Sequence, residues 1–131
     1  MTIHEIDNQH FYPRYVSWAS NAGGQPAPFN LLPQHGFLVK DVEDQPVACA
    51  WCALVMGIGM YHVLYLTTDE SRPVMLRAKA VEFLLDGIHE VMAVQEYSHG
   101  MITSSTKALT DLLRVLKWKT IDENVTILMN Y

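Results

Sequence analysis

The sequence predicts an α/β (α+β) fold in which one mixed, mostly antiparallel sheet is flanked by helices. Between residues 36 and 68, apolar, β-branched and aromatic residues follow the patterns of strands. Apolar residues then recur at helical spacing over residues 72–94, and a strand pattern returns after Trp118. Half of the 131 residues are hydrophobic and only 18% are charged, which indicates a well-filled core. We expect a single domain over residues 1–131.

Charge and hydropathy exclude several partners. The formal net charge is −5 and the Lys and Arg residues are scattered, so we expect no nucleic acid partner. The longest apolar run, residues 47–60, is broken by glycines and too short to span a bilayer. The first residues lack a basic and then apolar signal pattern. These features predict a cytoplasmic protein without a membrane contact.

The first third of the chain is the least regular part. Residues 3–6 can form a short strand, and Asp7 or Asn8 can cap a helix that carries Phe11, Tyr15 and Trp18 on one side. This helix would have Pro13 in its first turn. Residues 21–33 contain two glycines and three prolines, which predicts a surface loop.

The central part predicts three consecutive strands. Residues 36–42 and 46–55 flank a polar turn, which is typical of an antiparallel hairpin. Residues 61–68, rich in aromatic and β-branched types, form the third strand of this meander. Cys49 and Cys52 lie three apart on one strand, so their thiols face opposite sides and cannot chelate a metal together. We therefore predict buried structural thiols and no metal site, and the strand geometry disfavours the alternative of a redox or metal module built on this pair.

Two helices alternate with the remaining strands. Ser71 and Pro73 mark the start of a helix over residues 72–94, and a short strand follows Gly100. Thr106 can cap a second helix, predicted over residues 106–117, before two closing strands. The apolar phases of these elements predict eight core residues: Trp51, Leu64, Leu66, Val81, Leu84, Leu85, Leu112 and Leu116.

This order of elements resembles the GNAT N-acetyltransferase superfamily. The resemblance is clearest in the hairpin at residues 37–50 and in Val115-Leu-Lys-Trp-Lys, which is similar to the end of the last helix in that family. It implies that acetyl-CoA lies where the third meander strand and the following strand splay apart. The backbone of Leu66, Thr67 and Thr68 would then pair with the pantetheine arm.

The resemblance also implies a phosphate site at the start of the helix after Thr68. The family motif there is Gln/Arg-x-x-Gly-x-Gly/Ala, whose backbone N–H groups hold the pyrophosphate. This chain departs from it, because neither an alignment on Arg72 nor one on Arg77 restores the two glycines. Pro73 also lacks an N–H donor. Both arginines remain candidates for a charge-assisted contact with the phosphates. The alternative is that Ser71-Arg-Pro only starts a core helix and binds no cofactor.

The proton-transfer residues of the family are only partly matched. Its pattern Asn-x-x-Ala-x-x-Leu-Tyr-x-x-x-Gly-Phe supplies a tyrosine as general acid, but here Thr106 aligns with the asparagine, Leu113 with the tyrosine and Lys117 with the glycine. His62 is the candidate general base, since the pKa of histidine suits neutral pH. A hydrogen-bonded structural histidine is the alternative reading of His62.

Further candidates are Tyr65, on the same predicted strand as His62, and His99 and Ser104, around the short strand after Gly100. The expected function is acetyl transfer from acetyl-CoA to a small-molecule or peptide amine, which would enter near Trp18 and the Gly23-Gly24 loop. The alternative is a catalytically inactive domain of the same fold that binds a protein or ligand. The sequence leaves a homodimer open.

Overall fold

The computed structural model describes residues 1–55, 57–103, 107–122 and 127–130. Within this part, the elements follow the predicted order. The strands are β1 (Thr2–Glu5), β2 (His35–Lys40), β3 (Pro46–Val55), β4 (Met60–Thr68), β5 (His99–Thr103), β6 (Lys119–Asp122) and β7 (Ile127–Asn130). The helices are α1 (Asn8–Asn21), α2 (Val74–Val94) and α3 (Lys107–Val115), and a short 3-10 turn covers Phe29–Leu31. Ser104, Thr106 and the predicted turn between the closing strands lie outside the described residues.

The described strands form one sheet in the order β1-β2-β3-β4-β5-β7-β6. Only β4 and β5 pair in parallel, and the other neighbours are antiparallel. The predicted mixed, mostly antiparallel sheet is therefore confirmed. β2 ends at Lys40, two residues before the predicted bound, because the Asp41 carboxylate accepts the amides of Glu43 and Gln45 at 2.9 and 3.0 Å and starts the turn.

Helix α1 begins where the sequence predicts, but its proline lies further inside. Asp7 is the N-cap, and its side chain accepts a hydrogen bond from the amide of Gln9 at 3.2 Å. Pro13 lies beyond the first turn, so the expectation for it was wrong. Pro13 has no N–H group to donate to the carbonyl of Gln9. The helix tolerates this loss because Pro13 and Gln9 are both exposed to solvent, so water can bind that carbonyl. No helix in the described ranges is long and apolar enough to cross a membrane.

Helices pack on both faces of the sheet. On one face, α2 and α3 cover a core that includes Val39, Val63 and Leu113. On the other face, α1 packs its aromatic side chains against Leu38, Cys49 and Trp51 of β2 and β3. Cys49 and Cys52 belong to these two different clusters and are free thiols. The predicted divergence of the two side chains is confirmed.

The core prediction is correct for the helices and for β3. Trp51, Val81, Leu84 and Leu85 are buried, and three further leucines are partly buried against the larger cluster: Leu66, Leu112 and Leu116. The prediction that Leu64 shares the core of Leu66 was wrong. Leu64 lies opposite Trp51 on the α1 face, because an irregularity in β4 changes the phase of the strand between the two leucines.

Candidate active site

β4 and β5 pair only over their first residues. The pairing joins Met60 to His99 at one end and Val63 to Ile102 at the other. From Leu64 to Thr68, β4 pairs only with β3 among the described residues. The other backbone edge of this segment therefore offers N–H and C=O groups to a ligand. Leu66, Thr67 and Thr68, the candidate cofactor-binding residues of this strand, all lie in it.

Tyr65 forms a bulge where this edge opens. Trp51 lies opposite Leu64 and Cys49 lies opposite Thr67, so β4 has one more residue than β3 between these pairs. Tyr65 takes φ 57°, a left-handed conformation that is uncommon for a non-glycine residue. The Thr67 hydroxyl donates to the Tyr65 carbonyl at 2.8 Å. The bulge bends the strand and places Leu64 and Leu66 on opposite faces.

His62 lies on β4 just before the opening, on the face that α1 covers. Its neighbours Tyr61 and Val63 belong to the core under α2, so the alternation of the strand points His62 the other way. Nε2 of His62 is buried and has no hydrogen-bond partner among the described residues. Burial lowers the pKa of His62 below its ordinary 6.5. The ring is thus neutral at pH 7, and in the Nδ1-protonated tautomer Nε2 carries a lone pair able to accept a proton.

The other candidates for proton transfer lie elsewhere. His99 begins β5, at the end where β4 and β5 are paired, and its Nδ1 lies 3.2 Å from the Ser98 hydroxyl. Tyr65 is at the bulge itself, and Ser104 is outside the described residues. Of the described candidates, the structure places His62 and Tyr65 on the same face of β4, on either side of the point where the pairing with β5 ends, and His99 at the far end of that pairing.

The start of α2 presents free backbone amides. Pro73 is the N-cap and provides no side-chain cap, and the first helical hydrogen bond runs from the Arg77 amide to the Pro73 carbonyl at 3.0 Å. The amides of Val74, Met75 and Leu76 have no acceptor among the described residues. This end of the helix therefore carries unpaired donors and the positive end of the helix dipole, and both favour an anion.

Both candidate arginines flank this helix start, and both form ion pairs. Arg72 pairs with Asp41 of the β2–β3 turn, a carboxylate that is only 9% exposed. Arg77 donates through Nε to the Arg72 carbonyl at 3.1 Å, and its Nη1 lies 3.5 Å from Oε1 of Glu70, which is 45% exposed. The partner of Arg77 is therefore better screened by water and easier to exchange than that of Arg72.

Leu113 is fully buried in the larger core, at the position that the resemblance aligns with a catalytic tyrosine. Helix α3 ends just beyond it in a Schellman motif, in which the amides of Trp118 and Lys117 donate to the carbonyls of Leu113 and Arg114 at 2.9 and 3.0 Å. Lys117 takes φ 69°, the conformation that favours glycine. The helix thus ends as the aligned glycine predicts, although the residue is a lysine.

A groove of about 820 Å³ lies between α1 and the β2–β3 turn. Phe11 and Trp18 contribute apolar surface, and Arg14, Lys40 and Asp69 contribute charges. Trp18, near which the acceptor was expected to enter, is buried in the α1 cluster and lines this groove. The groove has the size of a small-molecule site.

Known structures match this arrangement over nearly the whole chain. An acetyltransferase of the GNAT family from Staphylococcus aureus superposes with a TM-score of 0.71 at 11% identity, covering 98% of this chain and 97% of its own. The ribosomal-protein-S18-alanine N-acetyltransferase from Escherichia coli gives 0.71 at 12% identity, covering 98% and 90%. The chain has the GNAT fold. No family model and no curated protein matches the sequence.

Some of the neighbours were solved with coenzyme A bound. The N-acetylglutamate synthase from Neisseria gonorrhoeae, complexed with coenzyme A and L-arginine, superposes with a TM-score of 0.77 at 12% identity. The match covers 98% of this chain and 32% of that protein. At these identities the likeness shows the fold alone, which agrees with the resemblance that the sequence carries.

Sequence reasoning missed two features of the candidate site. The amides of Val74, Met75 and Leu76 were not named, because the motif was judged by its missing glycines and not by where the helix starts. The bulge at Tyr65 was also missed. A glycine would have signalled its positive φ, but tyrosine gives no such signal.

Proposed function

We propose that this protein is an N-acetyltransferase that transfers an acetyl group from acetyl-CoA to a primary amine. One observation carries the proposal: the edge of β4 from Leu64 to Thr68, which no other described strand than β3 pairs, is followed along the chain by the start of α2, whose amides have no described acceptor. In acetyl-CoA, a pantetheine arm with amide groups is followed by a pyrophosphate. A strand edge can pair with the amide groups, and a helix N-terminus can bind the pyrophosphate.

The chain's own residues fit this cofactor. The backbone of Leu66, Thr67 and Thr68 pairs with the pantetheine arm, and the amides of residues 74–76 hold the pyrophosphate. Arg77 is the arginine that turns to the phosphates, because its exposed partner Glu70 gives it up more readily than Asp41 gives up Arg72. The carboxylate of Glu70 keeps the affinity low, since it adds negative charge beside an anionic ligand.

The chemistry assigns His62 as the general base. Acetyl-CoA supplies an activated acetyl group, which passes to the amine nitrogen as the bond to sulfur breaks. His62 takes a proton from the amine through Nε2, directly or through one water molecule. A backbone N–H of β4 near the bulge stabilises negative charge on the acetyl oxygen. Leu113 cannot donate a proton, so water protonates the departing thiolate.

Calorimetric titration with acetyl-CoA at low salt tests the proposal. We expect weak binding that decreases as salt rises. Arg77→Ala should weaken binding about fivefold, because a charge-assisted hydrogen bond is lost, whereas Lys79→Ala, an exposed cation further along α2, should change it little. If millimolar acetyl-CoA gave neither heat of binding nor a shift of the melting temperature, the proposed acetyltransferase activity would be refuted.

The groove beside α1 favours a second candidate, a non-catalytic binding domain. It lies at the β2–β3 turn and not at the open edge of β4, and it combines buried aromatic rings with charged groups. This reading gains support if acetyl-CoA does not bind and a ligand protects the protein from unfolding in an Arg14-dependent manner. It loses support if amine acetylation is observed.

A further inference from the structure

The side chain of Tyr65 lies beside the open edge of β4 and packs against two buried aromatic rings. Its ring centroid lies 6.4 Å from that of Tyr15 on α1 and 6.4 Å from that of Trp51 on β3. Tyr15 and Trp51 are buried, whereas Tyr65 remains 37% exposed. The bulge therefore fixes one aromatic ring at the opening, with part of its surface available to a ligand.

The hydroxyl groups of two neighbouring tyrosines are hydrogen-bonded to the backbone of the loop after α1. The Tyr12 hydroxyl donates to the Ala27 carbonyl at 2.8 Å, and the Ala27 amide donates to the Tyr15 hydroxyl at 2.9 Å. Phe29 packs edge-on against Tyr12 with centroids 5.4 Å apart and is itself exposed. The hydroxyl groups of Tyr12 and Tyr15 are thus engaged with the loop backbone, and the exposed ring of Phe29 adds apolar surface beside Tyr12.

His62 and Tyr65 lie on the same face of the sheet. His62 points away from the core under α2, and Tyr65 contacts Tyr15 of α1 on that side. An amine whose nitrogen reaches His62 would therefore have its substituent on the same side of the sheet as the ring of Tyr65, three residues further along β4. Aromatic contacts of this kind prefer edge or offset arrangements and add to the free energy of apolar burial.

We propose that Tyr65 is a specificity-determining residue and that the acceptor is a small primary amine with an aromatic or bulky apolar substituent. The inference rests on the proposed acetyl transfer. The substituent packs against the exposed part of the Tyr65 ring, which Tyr15 and Trp51 keep in place. The strained backbone at Tyr65 has a use in this arrangement, because the bulge brings the ring to the α1 face of the sheet, which His62 shares.

Steady-state kinetics with two acceptors test the inference. At saturating acetyl-CoA, the kcat/KM for 2-phenylethylamine should exceed that for butylamine about tenfold. Tyr65→Gly should reduce this ratio to within about twofold of unity, while acetyl-CoA affinity by calorimetry stays within about twofold. Glycine suits φ 57°, so the fold should be retained.

Three variants complete the experiment. Tyr65→Asn is a second variant without the ring that also tolerates positive φ. Tyr65→Phe should keep the preference, because it keeps the ring. Phe83→Ala, which removes a comparably exposed ring (39%) from α2, should leave the ratio unchanged.

The outcomes separate the two proposals. Turnover without a preference for 2-phenylethylamine, or an unchanged preference in both Tyr65→Gly and Tyr65→Asn, would overturn this inference alone. Failure of the native protein to bind acetyl-CoA would overturn the proposed function and this inference with it. Loss of the preference in both variants with intact acetyl-CoA binding supports it.

Discussion

Arg72 forms an ion pair with Asp41, which joins the loop before α2 to the turn between β2 and β3. Asp41 also accepts two backbone hydrogen bonds within its own turn. One carboxylate therefore organises the turn and anchors the segment that leads to the free amides of α2. The hydrogen bond from Arg72, followed by the backbone hydrogen bond from Gln45, holds the pKa of Asp41 below its ordinary 3.8.

This pair predicts an acid-sensitive contribution to stability. Because the folded pKa of Asp41 is depressed, its contribution is present above pH 3.8 and is lost as the pH falls through the folded value. Asp41→Asn should lower the urea concentration at the midpoint of unfolding at pH 7. Below pH 4 this midpoint should fall less steeply in Asp41→Asn than in the native protein. Asp86→Asn, at an exposed position on α2, is the control. Equal acid sensitivity of Asp41→Asn and the native protein would show that the pair does not contribute.

The second prediction concerns the packing of α2 on the sheet. Leu85 is buried in the larger core, so Leu85→Ala should reduce the free energy of unfolding by about 2–5 kcal/mol, through lost apolar contact and the cavity left behind. Phe83→Ala, on the exposed side of the same helix, should cost much less. A loss of only a few tenths of a kcal/mol for Leu85→Ala in a denaturant titration would contradict the packing.

The sequence predicted the elements of this fold well because its periodicities are unambiguous. The predicted bounds of β3 agree with the structure, and α2 starts two residues later than predicted, at Val74. β4 was predicted with continuous alternation, and this failed only where Tyr65 adds a residue. A bulge is decided by how two strands fit together, so one strand's pattern cannot reveal it.

The candidate site was less predictable for a related reason. Arg72 and Arg77 look equivalent in the sequence, and only the fold brings Asp41, 31 residues away from Arg72, into contact with it. The buried Nε2 of His62 likewise depends on the elements packed around it. Residue types indicate which chemistry is available, but long-range contacts decide which groups are already paired.

The third prediction is the pH dependence of the proposed acetyl transfer. His62 must be neutral to accept a proton, and burial lowers its pKa below 6.5, so kcat/KM should decline only below that pH. His62→Gln should remove this decline and lower the rate roughly 10²- to 10⁴-fold. His99→Gln, at the paired end of β5, should leave the decline in place. If kcat/KM of His62→Gln declined at acidic pH in the same way as that of the native protein, another group would be the general base.

The last prediction concerns Lys117, which ends α3 with φ 69°. A left-handed conformation costs a residue with a β-carbon about 1–2 kcal/mol, and glycine avoids this cost but loses more backbone entropy on folding. Lys117 is exposed, so little packing is lost on replacing it. Lys117→Gly should therefore raise the free energy of unfolding by up to about 1 kcal/mol in a urea titration. Lys117→Ala removes the same charge near the helix C-terminus but keeps the β-carbon, and should give no gain. If both variants gained equally, the charge and not the backbone conformation would be the cause.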